Sequence, residues 1–93
     1  MNIKQIDEGK KGCFNASENG VEAGHMNYRW EGSDKIIIGH TETSPDFAGK
    51  GVGKILVMEV VRVAREKNLR IIPKCPFAKS VFEKTPEIQD VLG

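Results

Sequence analysis

The stretch Lys35–Lys54 constrains the fold of this chain more than any other part of its sequence. It begins with an apolar, β-branched run, Lys35–Thr43, which predicts a β-strand. A loop follows, and a glycine-spaced turn then leads into Val52–Lys67, where apolar residues recur at helical spacing. They are expected to form one apolar face that lies on the sheet: Val52, Ile55, Leu56, Val60, Val63 and Ala64. A second apolar run, Arg70–Cys75, comes directly after this helix. The pattern predicts a β-α-β unit with parallel strands and a right-handed crossover.

The chain before this unit predicts a β-hairpin. Gly12–Ser17 and Val21–Trp30 alternate apolar and polar residues, and Asn19-Gly20 between them is a strong turn signal because both residues tolerate positive φ. Residues 1–9 are expected to be only weakly attached. We therefore predict an α/β fold: a twisted mixed sheet of about four strands with helices packed on it. Residues 1–93 are expected to form a single domain.

Charge and composition exclude several classes of function. Charged residues are 29% and apolar residues 39% of the chain, which is typical of a globular domain, and the net charge of +1 does not favour binding to nucleic acid. No apolar run approaches the roughly 20 residues of a membrane-spanning helix, so no membrane partner is expected. The two cysteines do not form a disulfide framework. A cytoplasmic location is the expectation that follows.

The glycine-spaced turn predicts an anion-binding site. Glycine occupies positions 49, 51 and 53, and such spacing is costly in backbone entropy unless the backbone must approach another group closely. Free N–H groups at the start of a helix attract anions, and Lys50 and Lys54 add positive charge. The turn fits neither the phosphate-binding loop of nucleotide hydrolases nor the dinucleotide fingerprint, because the required glycines and hydroxyl are not at the required positions.

Cys75 is the strongest candidate for a reactive side chain. Pro76 follows it, and a short helix ending at Thr85 is expected to begin there with Cys75 near its N-cap. A thiol at a helix N-terminus is biased toward thiolate, and Lys74 lies beside it in the sequence. Cys75 is also expected at the carboxyl end of a parallel strand, where ligands bind in open α/β sheets. Cys13 is instead expected to be a small core residue.

His40 and Glu42 form a polar pair at the end of the strand 35–43. Because they are two residues apart, both are expected on the face that Ile36 and Ile38 bury. Glu42 is a candidate general base and His40 a candidate structural residue, or the strand simply emerges into solvent here. No metal site is expected, because no histidine or cysteine pair has the spacing of metal ligands within one segment.

The chain resembles the small GNAT-like N-acetyltransferases, a branch of about 90–100 residues found in bacteria and plants. The turn resembles the acyl-CoA pyrophosphate motif Q/R-x-x-G-x-G/A, with Ala48 in the Q/R position and Gly51 and Gly53 as its glycines. Further marks are His40-Thr41-Glu42 and the segment from Ile71 through Cys75-Pro76-Phe77-Ala78-Lys79. The resemblance covers most of residues 10–90.

The resemblance implies acetyl-CoA, or coenzyme A, as the cofactor and an amine as the acyl acceptor. It implies that the pantetheine arm lies in a gap between the strands 35–43 and 70–75, with Cys75 as the candidate catalytic residue beside the thioester. The cofactor-binding residues expected from it are Thr41, Glu42, Thr43, Gly49, Lys50, Gly51, Val52, Gly53, Lys54 and Lys79.

Two departures from the family pattern affect this interpretation. Ala48 removes a side chain that most members use, so backbone N–H groups and lysines must hold the phosphates. The first helices, which form the acceptor pocket in longer relatives, are also lacking. A small-molecule or peptide amine is therefore the expected acceptor class, and a monomer or weak dimer the expected state.

Two alternatives to an acyltransferase stay open. The first is a non-catalytic CoA-binding module or partner subunit. The second is a thiol-redox protein that uses Cys75, although no resolving cysteine lies near it in the sequence. For the enzyme itself, Cys75 either carries the acyl group or protonates the leaving CoA thiolate.

Overall fold

A computed structural model describes residues 1–93 as five β-strands, two α-helices and two 3₁₀ turns. The strands are β1 (Asn2–Asp7), β2 (Lys11–Glu18), β3 (Val21–Glu31), β4 (Lys35–Thr43) and β5 (Arg70–Pro73). The helices are α1 (Val52–Lys67) and α2 (Pro76–Lys84), and 3₁₀ turns span Pro45–Phe47 and Pro86–Val91. Neither helix combines the length and apolar character needed to cross a membrane.

The strands form one mixed sheet in the order β1-β2-β3-β4-β5. The first three pairings are antiparallel, and β4 pairs with β5 in parallel through the crossover helix α1. The predicted fold class and the β-α-β unit are confirmed. The sheet has five strands where about four were expected. The expectation of a weakly attached start was wrong, because residues 2–7 pair with β2 along their whole length.

Asp7 at the end of β1 explains this attachment. Its carboxylate accepts hydrogen bonds from the Tyr28 hydroxyl at 2.6 Å and from the Trp30 indole N–H at 2.7 Å, both on β3. These bonds lower the pKa of Asp7. Burial, followed by the bond to Asp7, raises the pKa of Tyr28 to about 12. Apolar periodicity does not detect this strand, because backbone pairing with β2 and the polar side chain of Asp7 hold it, and of its residues only Ile3 packs against the core.

Replacing Asp7 with alanine is expected to destabilise the fold by roughly 1 kcal/mol at neutral pH, a value that allows for solvent screening at this exposed carboxylate. Because folding lowers the pKa of Asp7, its contribution is present above the unfolded value of about 3.9 and is lost as the pH falls through the folded value. Urea unfolding of both proteins at pH 7 and pH 3 checks this. An equal difference in stability at the two pH values would contradict it.

Helix α1 covers one face of the sheet and forms the centre of the core. Its N-cap is Gly51 and its C-cap is Asn68, both in the left-handed conformation, and it spans the predicted range. Leu56 and Val60 are fully buried, as predicted. Ile55, expected on the apolar face, is instead 37% exposed, and Val57 and Val61 are buried in addition. The apolar face of α1 is therefore rotated away from Ile55.

The buried position of Leu56 predicts a large cost of truncation. Leu56→Ala is expected to lower the free energy of unfolding by roughly 2–4 kcal/mol, since it leaves a cavity in a closed core. Ile55→Ala, one position along the same helix but exposed, is the matched control and should cost less than about 0.5 kcal/mol. Chemical denaturation measures both changes, and similar losses would mean that the core is misassigned.

Candidate active site

A gap opens in the sheet between β4 and β5. The two strands pair from Lys35 and Arg70 to Ile38 and Pro73. Beyond this point β4 pairs only with β3, while the chain leaving β5 turns into α2. The carbonyl of Ile38 accepts the last bonds across the junction, from the N–H groups of Lys74 at 2.9 Å and Cys75 at 3.2 Å. The gap lies at the carboxyl ends of parallel strands, where open α/β sheets bind ligands.

The start of α1 presents free N–H donors beside this gap. Gly51 is the N-cap with φ of +74°, and the first helical hydrogen bond runs from the N–H of Ile55 to the carbonyl of Gly51 at 3.0 Å. The N–H groups of residues 51–54 have no acceptor within the protein. No protein atom lies within 4 Å of where a Cβ at Gly51 would stand. Four donors at an open helix N-terminus are suited to a phosphate group.

A groove of about 500 Å³ adjoins this helix start. Its cations are Lys50, Lys54 and Arg62, and Ile55 and Met58 contribute apolar surface. Arg62 is paired with Glu59 at 2.7 Å and with Glu66 at 2.9 Å, whereas neither Lys50 nor Lys54 has a salt-bridge partner. Lys50 lies over the ring of Phe47, 5.3 Å from its centroid. The groove therefore combines positive charge at the helix start with an apolar wall.

Gly53 has a packing role in this region. A Cβ at Gly53 would lie 2.6 Å from ring atoms of Phe77, the second residue of α2. The absence of a side chain therefore lets the starts of the two helices approach closely. This contact brings the free N–H groups of α1 close to the N-terminus of α2, where Cys75 lies.

Cys75 is the N-cap residue of α2 and is 7% exposed. Burial raises the pKa of its thiol, but the nearby N–H groups of Ala78 and Phe77 and the hydroxyl of Thr41 outweigh burial, so the net shift is downward. The Thr41 hydroxyl is buried and lacks a hydrogen bond of ordinary geometry within the protein. A thiol with a lowered pKa and an unsatisfied hydroxyl thus lie together beside the gap.

A β-bulge in β4 separates His40 and Glu42 from this thiol. Ile38 is opposite Tyr28 on β3 and His40 is opposite Asn27, so Gly39 is an extra residue. The bulge reverses the alternation of side chains, and Thr41, not His40, shares the face of the buried Ile38. The predicted placement of His40 and Glu42 on the face of Ile36 and Ile38 was therefore wrong. Both are exposed on the opposite face, which carries no helix.

On this open face His40 and Glu42 are in contact. The His40 Nε2 atom lies 3.2 Å from the Glu42 Oε2 atom. Ligand atoms of His25, His40 and Glu42 lie within 4.8 Å of one another, which would suit a metal ion. Spacing within one segment does not detect this group, because its members come from neighbouring strands. The absence of a metal site stays a prediction.

The predicted cofactor-binding residues outside the glycine turn lie in different places. Lys79 is exposed on α2 and lines a separate groove with Phe82 and Gly93. Thr43 is exposed at the end of β4, opposite Gly24 on β3, and a Cβ at Gly24 would meet both the Thr43 backbone and the Val52 side chain, so Thr43 lies near the start of α1. Thr41 lies near Cys75, as described above. Their roles, like those of the turn residues and Glu42, stay predictions.

A second groove, which the sequence does not reveal, lies on the open face. It has a volume of about 320 Å³, and its lining includes His40, Arg29 and Lys74. It adjoins the gap from the side opposite to α1. Arginine at an outward-facing strand position resembles an ordinary solvated residue in a sequence, so no local signal was available.

Comparisons with known proteins identify the fold. A family model described as GCN5-related N-acetyl-transferase matches residues 13–91. The solution structure of a GCN5-like protein from Staphylococcus aureus is 40% identical with a TM-score of 0.73, and the match covers 99% of this chain and 87% of that one. No curated protein matches the chain.

Two more distant structures share the fold alone. A ribosomal-protein-alanine N-acetyltransferase from Brucella melitensis has 17% identity and a TM-score of 0.69, and the match covers 83% of this chain but only 62% of that one. The aminoglycoside N-acetyltransferase AAC(6')-Iy, in complex with CoA, has 17% identity and a TM-score of 0.62. That match covers 89% of this chain and 88% of that one.

Proposed function

The chain belongs to the GCN5-related N-acetyltransferase family, a family of acetyltransferases that use acyl-CoA, and on this premise we propose that it transfers an acetyl group from acetyl-CoA to an amine. The observation that carries the proposal is the gap between β4 and β5, with a helix N-terminus and Cys75 beside it. We further propose that residues 1–93 act as a single catalytic domain.

The turn residues fit the phosphates of CoA. The free N–H groups of residues 51–54 would donate hydrogen bonds to the pyrophosphate oxygens, and Lys50 and Lys54 would neutralise the negative charge. This arrangement supplies what Ala48 lacks, because the backbone provides the hydrogen bonds. When bound, acetyl-CoA supplies an activated thioester, and its pantetheine arm would follow the unpaired edge of β4 beyond Ile38.

His40 and Cys75 would act from opposite sides of the gap. Successive strand residues point to opposite faces, so Thr41 faces Cys75 while His40 faces the open side. His40 would accept a proton from the attacking amine, with Glu42 orienting its ring at 3.2 Å. Glu42, the sequence-based candidate for the base, would thus act through His40.

Cys75 has two possible roles in this reaction. In the first, its thiol protonates the departing CoA thiolate while the amine attacks the thioester directly. In the second, its thiolate forms a new thioester with the acetyl group, and the amine then attacks that bond. The positions of His40 and Cys75 on opposite faces favour the direct route, because an amine on the open side would meet the thioester without passing Cys75.

The decisive experiment measures CoA release from acetyl-CoA with a panel of amines. His40→Ala is expected to lower kcat/KM for the amine by about 100-fold, the usual scale for a general base, while the acetyl-CoA Kd stays unchanged. The limb of the pH–rate profile that reports the base should disappear in the same variant. A profile identical to that of the parent would contradict the assignment.

A non-catalytic CoA-binding module is the second candidate, and the openness of the acceptor side favours it. In that case the protein would bind acetyl-CoA but release no CoA with any amine. Mass spectrometry of the amine panel distinguishes the two, because only an enzyme forms amides.

A further inference from the structure

The groove on the open face is lined by positive charge, and the proposed acetyl transfer does not by itself require this charge. Its eight lining residues include three cations and no carboxylate: Lys11, Asn27, Tyr28, Arg29, Ile37, Gly39, His40 and Lys74. Over the whole chain the charges are nearly balanced, with 14 basic and 13 acidic residues. The lining of this groove, which lies next to the gap between β4 and β5, therefore differs from the balanced charge of the whole chain, because its charged residues are all cationic.

Two of these cations lie directly opposite each other. Lys11 on β2 and Arg29 on β3 are cross-strand partners, and like charges at such positions destabilise a sheet. Arg29 is also the only one of the four arginines whose guanidinium has no hydrogen-bond partner, since Arg62, Arg65 and Arg70 are all paired. A bound anion would remove the repulsion and satisfy the free guanidinium.

The floor of the groove is apolar. Ile37, the partner of Arg29 on β4, is 8% exposed although it lies on the face without helices and outside the main core cluster. The groove thus offers a cationic end and a short apolar wall. His40, the proposed base, is at its other end, opposite Asn27, which precedes Arg29 by two residues on β3. Two residues of strand span about 7 Å.

We propose, on the basis of the proposed function, that the acyl acceptor is a small amine carrying a carboxylate or phosphate group. Its amine reaches His40 at the gap, its short carbon chain lies against Ile37, and its anionic group binds Arg29 with help from Lys11, the cross-strand partner of Arg29. The phosphates of CoA do not compete for these cations, because their proposed site is the groove of Lys50 and Lys54. That groove lies at the start of α1, on the opposite side of the sheet.

The transfer itself balances within this arrangement. The amine nitrogen forms a bond to the acetyl carbonyl carbon, and the carbon–sulfur bond of the thioester breaks. The electron pair of that bond leaves with the CoA sulfur, which takes a proton from the Cys75 thiol in the direct route. The proton lost by the amine goes to His40. The acceptor's anionic group takes no part in bond changes and acts only in binding.

Two pairs of acceptors test the proposal: γ-aminobutyrate against its amide, and O-phosphoethanolamine against ethanolamine. For at least one pair we expect kcat/KM to be about tenfold higher for the anionic member. Arg29→Gln should remove this preference by lowering the anionic member's value about tenfold, with little change for the neutral member or for the acetyl-CoA KM. Comparing parent and variant on each acceptor cancels differences in amine basicity.

Lys84→Gln is the matched control, because it also removes one exposed positive charge but lies at the end of α2, outside the groove. It should keep the preference. Two results would overturn the acceptor proposal while leaving the acetyltransferase function intact. In the first, the parent has equal kcat/KM values for charged and neutral acceptors; in the second, Arg29→Gln lowers kcat/KM equally for both.

A binding measurement separates the two proposals if no amine is acetylated. In that case the transfer function fails, and the side-chain NMR signal of Arg29 is followed while γ-aminobutyrate or O-phosphoethanolamine is added. A saturable shift that is absent with the neutral partners would support the anion site independently. No shift with either anion would overturn it.

Discussion

Replacing Gly51 with valine is expected to weaken CoA binding by at least about 100-fold, which corresponds to roughly 2.7 kcal/mol. The substitution is expected to block the access of a phosphate group to the start of α1. A side chain at Gly51 would occupy open space at the start of α1 and is expected to hinder the approach of a phosphate to the free N–H groups of residues 51–54. Charge-assisted hydrogen bonds contribute about 1.5–3 kcal/mol each, so the loss of two is sufficient. Isothermal titration with CoA measures the change.

The backbone at Gly51 requires a control, since its φ of +74° also strains any β-branched residue there. Gly20 in the β2–β3 turn is a suitable match, with φ of +80° and no atom within 4 Å of a Cβ. Gly20→Val should show a similar loss of thermal stability and unchanged CoA affinity. If the two variants bind CoA equally well, the phosphate site does not lie at the start of α1.

The sequence predicted the elements around this site well because each has a local cause. The range of α1 follows from its apolar periodicity, a left-handed glycine at its start and Asn68 at its end. The start of α2 follows from Pro76, whose fixed φ suits the first helical position. Such signals depend on residues within a few positions of each other.

The side on which each polar residue lies could not be predicted in the same way. One extra residue, Gly39, exchanges the faces of His40 and Thr41, and a bulge is set by the register of the partner strand. The attachment of β1 through Asp7 and the cross-strand pair of Lys11 and Arg29 are likewise contacts between segments distant in sequence. Periodicity within one strand contains no information on them.

Cys75→Ala is expected to lower the kcat of acetyl transfer by about 100-fold or more, the scale of a lost general acid or nucleophile. The CoA Kd should change less than about threefold, because the proposed phosphate site consists of residues 51–54 and does not include the thiol. Cys13→Ala is the matched control, since Cys13 lies half-buried in β2 on the other side of the sheet from Thr41. It should retain full activity.

The lowered pKa of Cys75 gives a second, independent measurement. Only the thiolate is alkylated, so the rate of alkylation of Cys75 should reach its plateau at a lower pH than that of an ordinary thiol. At neutral pH we expect Cys75 to react faster than Cys13, although its burial slows the reagent. CoA should protect Cys75, because the pantetheine arm and the reagent would occupy the same gap. Equal rates with and without CoA would contradict this placement.

Mass spectrometry after incubation with acetyl-CoA distinguishes the two roles of the thiol. A 1:1 acetyl adduct on Cys75 that disappears when an amine is added indicates the acyl-enzyme route. Full transfer without any adduct indicates that Cys75 protonates the CoA thiolate, and Cys75→Ser, a far weaker acid, should then be as slow as Cys75→Ala. An alanine variant with the activity of the parent would reduce Cys75 to a packing residue and leave the lowered pKa without a function.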